Sequence, residues 1–225
     1  DGAPCSREDR REEFLRALEV GDESDCRRLL WREYAYTRSV AALADNFIAP
    51  TFQRMGTRWE CGETSVYQER RGCEICARVF REIRQHIPTP PAGGPLAIGG
   101  TPSGDYYQIA THLVDLVFRE QGWRSMNLGC NLPLSTMAEA ADAHQPRFVW
   151  LSVSHLVDRS QFVRECIELQ RALPETTSMV MGGRAVDDSL QKQLCESFPS
   201  KNRPQFFYNL VQLARASRPQ IAKSG

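Results

Sequence analysis

The chain has no surplus charge of either sign. Its 28 Lys and Arg match 28 Asp and Glu, for a formal net charge of +0. A chain that grips a polyanion by itself needs an excess of positive charge, so direct nucleic-acid binding is not expected of these residues. Long apolar runs are also missing; none approaches the roughly 18 residues that span a bilayer. No signal-peptide pattern opens the sequence. A cytoplasmic protein with no membrane partner is expected. The sequence has neither a Gly-x-Gly-x-x-Gly fingerprint nor a Gly-Lys-Ser/Thr after a glycine loop, which excludes the common dinucleotide and Walker sites. Histidine is scarce, with four in all, and His86, His112 and His144 share no constellation. No Ser-His-Asp, Cys-His or paired-carboxylate arrangement is legible, so no catalytic residue is assigned and an enzyme is not expected. There is no internal repeat. The first residue is Asp1 rather than Met, which leads us to expect a fragment, a processed form or a tag-cleaved form.

Cysteine is present but not organised. The eight are Cys5, Cys26, Cys61, Cys73, Cys76, Cys130, Cys166 and Cys195. Several fall in apolar helical stripes and read as reduced, mostly buried thiols. Cys73 and Cys76 spell Cys-x-x-Cys inside a helix, with no second pair, whereas zinc needs about four ligands. No metal site is assigned.

Up to residue 87 the pattern is helical throughout. Ser6 caps a first helix that stops at Gly21, with Phe14, Leu15 and Leu18 inward. A second runs from about Ser24 to Tyr36, with Cys26, Leu29, Leu30 and Tyr34 inward. A third starts near Ser39, meets Pro50 and is expected to stop at Gly56. Trp59 to Glu63 then reads as a loop. Ser65 and Gln68 form a capping box for a fourth helix. Its inward stripe is Val66, Glu69, Cys73, Cys76, Phe80 and Ile83. A carboxylate at Glu69 either faces a polar ligand or reaches solvent from the first turn.

Residues 87–94, Ile-Pro-Thr-Pro-Pro-Ala-Gly-Gly, are the one linker. They divide a helical domain at 6–87 from a second domain at 95–217. Strands are expected at 95–100, 124–128, 148–154, 177–182 and 205–208. Helices are expected at 106–121, 134–143, 159–173, 187–197 and 209–216. Val149-Trp150-Leu151-Ser152-Val153 has the nearly continuous apolar character of a strand covered on both faces. The fold class is α + α/β: an N-terminal four-helix bundle, then a flavodoxin-like, doubly wound, five-stranded parallel sheet.

Ligands of such sheets bind at the carboxyl edge. Here that edge carries Asp105, Tyr106 and Tyr107 after the first strand. Cys130 and Asn131 follow the second, within Gly129-Cys130-Asn131-Leu132-Pro133. Ser152, Ser154 and His155 end the third, and Gly182, Gly183 and Arg184 follow the fourth. Glycine pairs and serines allow the close approach of something large. Ordinary turn chemistry accounts for each of them taken singly.

Together these residues resemble the cobalamin-binding sensor modules of light-responsive regulators of the CarH and LitR type. They also resemble the corrinoid-carrier modules of methionine synthase and methyltransferases. The likeness spans about residues 10–217. In the helical half it includes Ile48-Ala49-Pro50, Met55-Gly56, Trp59 and Gly62. The light sensors place a Trp, nine residues, then Glu-His over the upper corrin face; Trp59 and Glu69 match, and Arg70 stands at the histidine. The second half carries Asp/Glu-x-His-x-x-Gly in the family, with the histidine as lower cobalt ligand. Asp105 matches the acid, Tyr107 stands at the histidine and Ala110 at the glycine. Leu128-Gly129-Cys130-Asn131-Leu132-Pro133, Ser152-Val153-Ser154 and Gly182-Gly183 match further family phrases.

The resemblance implies a tetrapyrrole-binding sensory module, a photoreceptor or ligand sensor, with the ligand held between bundle and sheet. Phenol, with a free pKa of about 10, and arginine, permanently charged, are poor replacements for imidazole on cobalt. Three outcomes stay open. Cobalamin binds without a protein ligand. A biliverdin-type bilin or haem takes its place, with Tyr106, Tyr107 and Trp59 as aromatic surface, Arg70 pairing an acid group, His155 as a replacement ligand and Cys130 or Cys61 for attachment. Or the module only mediates protein contacts. The output implied is transcription regulation through a homo-oligomer or a regulatory protein partner, with DNA reached only by a segment not present here. The alternative is a corrinoid carrier of a methyltransferase system.

Overall fold

In the computed structural model, residues 6–199 and 203–217 are described. Cys5 lies outside them. The chain divides into two compact units, residues 1–87 and 88–225.

The first unit is helical: α1 (Arg7–Val20), α2 (Glu23–Thr37), α3 (Val40–Leu43), a π-helical turn (Ala44–Ile48), α4 (Ala49–Glu60) and α5 (Val66–His86). Both ends of α1 follow from local chemistry. Ser6 and Asp9 close a reciprocal capping box, and Gly21 ends the helix in the left-handed region at φ 84°. Phe14, Leu15, Leu18, Leu29, Leu30, Phe47, Phe80 and Ile83 form its core, all at most 1% exposed. In the last turns of α2 the buried side chain is Glu33, not the expected Tyr34, and it pairs with Arg10.

The third helix differs most from expectation. It runs unbroken from Val40 to Glu60, so Trp59 and Glu60 are helical and Gly56 is not a stop. Pro50 has no N–H for the carbonyl four residues before it. Arg11 supplies the missing donors, with Nε and Nη2 reaching the Asn46 carbonyl at 2.9 and 2.7 Å. The π-turn accommodates the same defect. The left-handed glycine comes later, at Gly62 with φ 76°.

Arg58, on α4, ties this unit to itself. Its guanidinium donates to Glu12 at 2.8 Å and to Glu19 at 3.0 Å, while Thr64 donates to Glu19 at 2.7 Å. Burial alone would raise the Glu12 pKa, but the Arg58 hydrogen bond and the charges of Arg58, Arg54 and Arg16 outweigh it and lower it. A carboxyl lowered on folding stabilises above its unfolded value and loses that contribution as pH falls through the folded one. Arg58→Met should therefore destabilise the chain by about 1 kcal/mol near neutrality. In denaturant titrations the difference from wild type should shrink below about pH 4.5.

The second unit alternates: β1 (Leu96–Gly100), α6 (Gln108–Glu120), β2 (Arg124–Asn127), α7 (Leu134–His144), β3 (Phe148–Ser152), α8 (Arg159–Ala172), β4 (Ser178–Gly182), α9 (Asp188–Ser197), β5 (Gln205–Phe207) and α10 (Leu210–Ala216). The sheet is parallel with order β2-β1-β3-β4-β5, the flavodoxin-like order expected. Val149, Leu151, Val153, Met179 and Met181 pack against α7, α8 and α9. On the other face Phe148 meets Phe118 and Trp123. The chain switches direction between β1 and β3, and that opening is where loops from several strands converge.

Candidate functional site at the carboxyl edge of the sheet

Asp105 is fully buried, and its carboxylate is shared among backbone N–H groups. Oδ1 accepts from Tyr107 N at 3.0 Å. Oδ2 accepts from Ser154 N at 2.5 Å and His155 N at 3.1 Å. One side chain thus fastens the loop after β1 to the loop after β3. The loop after β2 is fastened by Asn131, a non-glycine residue at φ 58°. Asn131 Oδ1 accepts from Gly104 N at 2.8 Å, and Asn131 N donates to Thr101 Oγ1 at 2.9 Å and to the Asp105 carbonyl at 2.9 Å. Thr101 Oγ1 in turn donates to the Asp105 carbonyl at 2.5 Å. The loop after β4 joins through Arg184, whose Nε donates to the Ser154 carbonyl at 2.9 Å.

The structure therefore brings Asp105, Tyr107, Asn131, Ser154 and His155 together by direct bonds. Tyr106 is 57% exposed and Tyr107 36%. The Arg184 guanidinium stands over the Tyr107 ring, 4.5 Å from its centroid. Ser152 is buried, Cys130 half-buried, and His155 and Asn131 exposed. Trp59, Glu69 and Arg70 belong to the helical unit. Trp59 and Val66 are each 49% exposed, so the start of the predicted α5 stripe does not face the helical core. Gly72 and Ile75 are buried there instead.

The glycine pairs correct the reading that they clear room for a large ligand. A Cβ on Gly99 would lie 2.0 Å from the Trp150 carbonyl oxygen, and one on Gly182 would lie 2.5 Å from the Phe207 ring. A Cβ on Gly183, at φ 122°, would lie 2.3 Å from the Val153 carbonyl oxygen. What approaches them closely is the chain itself. Gly129 differs: its φ is 93° and a Cβ would meet no atom within 4 Å. A hollow of about 240 Å³ lies beside this edge, lined in part by Ser103, Gly104, Val157 and Gln161. Thr101 was not among the residues expected at this edge, and Arg184 was placed there without a role. A hydroxyl directly after a strand and an arginine directly after a glycine pair were the available signals.

Residues 10–84 match the sequence model of a family described as "B12 binding domain". The match lies within the helical unit. The chain is 27% identical over 113 residues to the HTH-type transcriptional repressor CarA of Myxococcus xanthus, which covers 50% of this chain and 37% of that protein. The match thus spans well under half of that relative. Among solved structures, the Methanosarcina barkeri monomethylamine corrinoid protein aligns with a TM-score of 0.70 at 16% identity, over 94% of this chain and 98% of that one. The two share a fold, a Rossmann-like five-stranded parallel sheet with an N-terminal helical part. Among the described residues, no helix is long and apolar enough to cross a membrane. Among the same described residues, no cluster of three or more His, Cys, Asp or Glu is placed to hold a metal ion.

Proposed function

We propose that this chain is a cobalamin-binding sensory module that controls a transcriptional output through assembly or partner contacts. The observation that carries the reading is the B12-binding-domain match over residues 10–84. The loops at the carboxyl edge support it, because they gather the expected residues around Asp105. A regulatory output is supported by the likeness to CarA, a repressor. Neither a bilin nor haem gains support from these likenesses.

The residues fit a corrin held by its face and periphery. Tyr106 and Tyr107 offer aromatic surface, Gly129 leaves open space, and Ser154 and Asn131 are polar neighbours. They fit coordination of cobalt poorly. Tyr107 stands where the resemblance puts histidine, and the Arg184 guanidinium stands over one face of its ring. Asp105 has no role as a partner to an imidazole here; its oxygens hold backbone N–H groups. Bound cobalamin would supply a bond at cobalt that responds to light or oxidation state. The protein's part is to hold the loops rigid around it. Trp59, Glu69 and Arg70 enter this reading through the resemblance alone, and no chemistry on a substrate is assigned to any residue.

Size-exclusion chromatography with cyanocobalamin and adenosylcobalamin, in darkness and in light, tests the proposal. Corrin absorbance should travel with the protein, and the elution volume should depend on which form is bound. Corrin eluting wholly as a free small molecule defeats the binding claim. Co-elution with an unchanged volume in every state defeats sensing through assembly.

A further inference from the structure

We propose that Arg184 is an anion anchor at the sheet edge and takes the phosphodiester of a corrinoid's nucleotide tail. The inference rests on the cobalamin reading above and names a residue that decides which corrinoids the site prefers. Two contacts fix the guanidinium. Its Nε is spent on the Ser154 carbonyl at 2.9 Å. Its plane is held over the Tyr107 ring at 4.5 Å, an arrangement favoured by the ring's negative face. The two Nη groups remain, on an exposed side chain. Such a fork, held at its base with its tips free, suits bidentate recognition of a phosphate.

The nearby carboxylates are engaged elsewhere. Asp105 is saturated by Tyr107, Ser154 and His155 N–H groups. Asp187, three residues on, is held by Arg159 at 2.5 Å and accepts from Leu190 N at 2.7 Å as the cap of α9. Asp158 caps α8 by accepting from Gln161 N. Among the described residues no carboxylate pairs with Arg184. Gly183, immediately before it, has φ 122°, and a Cβ there would lie 2.3 Å from the Val153 carbonyl oxygen, so the backbone leading into Arg184 admits no side chain without strain. An arginine so positioned, next to two exposed tyrosines, completes an edge that offers aromatic surface for a ring and positive charge for a tail.

The test compares cyanocobalamin with dicyanocobinamide, which lacks the nucleotide tail and its phosphate. Equilibrium dialysis on the full chain should show that Arg184→Gln weakens cyanocobalamin by about tenfold, the loss of one charge-assisted contact. Binding of dicyanocobinamide should change less than about twofold by the same conversion. Arg184→Lys, which keeps the charge but not the fork, should fall between. Equal losses for both corrinoids, or none for either, overturn the anchor.

A second arm does not depend on corrin binding. The Arg184 Nε–H resonance is followed while α-ribazole phosphate, the tail fragment, is added. It should move, and move more than with inorganic phosphate at the same concentration. No movement, or an equal response to inorganic phosphate, overturns tail recognition. A chain that binds neither corrinoid but shows the fragment response defeats the cobalamin reading and leaves the anchor standing.

Discussion

Asp105→Asn should loosen the whole carboxyl edge and cost about 3 kcal/mol, more than loss of a single neutral hydrogen bond. The carboxylate accepts from Tyr107, Ser154 and His155 N–H groups and is 0% exposed. An amide has one acceptor oxygen. Its NH2 group must then face at least one N–H donor, leaving both buried and unsatisfied. The expected signature is local as well as global. Amide hydrogen exchange at Tyr107, Ser154 and His155 should accelerate together, although these residues lie in loops after different strands. The denaturation midpoint should drop alongside. Unchanged exchange at these amides would show that Asp105 does not hold the loops. The helical unit, with its own core, should keep its protection.

Gly99→Ala should produce a comparable loss, about 3 kcal/mol, by a different route. Gly99 pairs with Trp150 across β1 and β3. The new Cβ would lie 2.0 Å from the Trp150 carbonyl oxygen and 2.3 Å from its Cδ2. The first of these is backbone in a central strand and has nowhere to move. Trimming the ring with Trp150→Leu should therefore fail to rescue Gly99→Ala. Gly182→Ala makes a useful contrast. Its nearest neighbours are all atoms of the Phe207 ring, at 2.5–2.7 Å, so Phe207→Leu should relieve much of the damage. Urea midpoints of the singles and doubles check this; rescue at Gly99 by the trimmed ring would contradict the backbone argument.

These glycines show where the sequence was legible and where it was not. The run Val149–Val153 identified a buried parallel strand because continuous apolar character is local information. The five strands followed, and with them the carboxyl edge. That the glycine pairs are filled by Trp150 and Phe207 is not local: the partners lie on neighbouring strands, and their register appears only on folding. The same holds for Asp105. Its identity was visible, but two of its three donors lie 49 and 50 residues away. Gly56 was misread for a related reason. A glycine in a helical pattern signals a stop only if the chain turns there; here Arg11 caps the Asn46 carbonyl left by Pro50 and the helix continues to Glu60. Arg184 could not be singled out because its partners, Tyr107 and Ser154, come from two other loops.

A corrinoid bound at this sheet edge should receive no protein nitrogen on its cobalt. Electron paramagnetic resonance of cob(II)alamin bound to the chain, grown with ordinary and with heavy nitrogen, reads that directly. The expected result is a bound species whose hyperfine pattern is the same in both preparations, because any axial nitrogen belongs to the corrinoid or is absent. A pattern that changes when the protein's nitrogen is replaced would place an imidazole such as His155 on the metal and contradict it, as would a spectrum identical to free cob(II)alamin with no ligand retained by the protein.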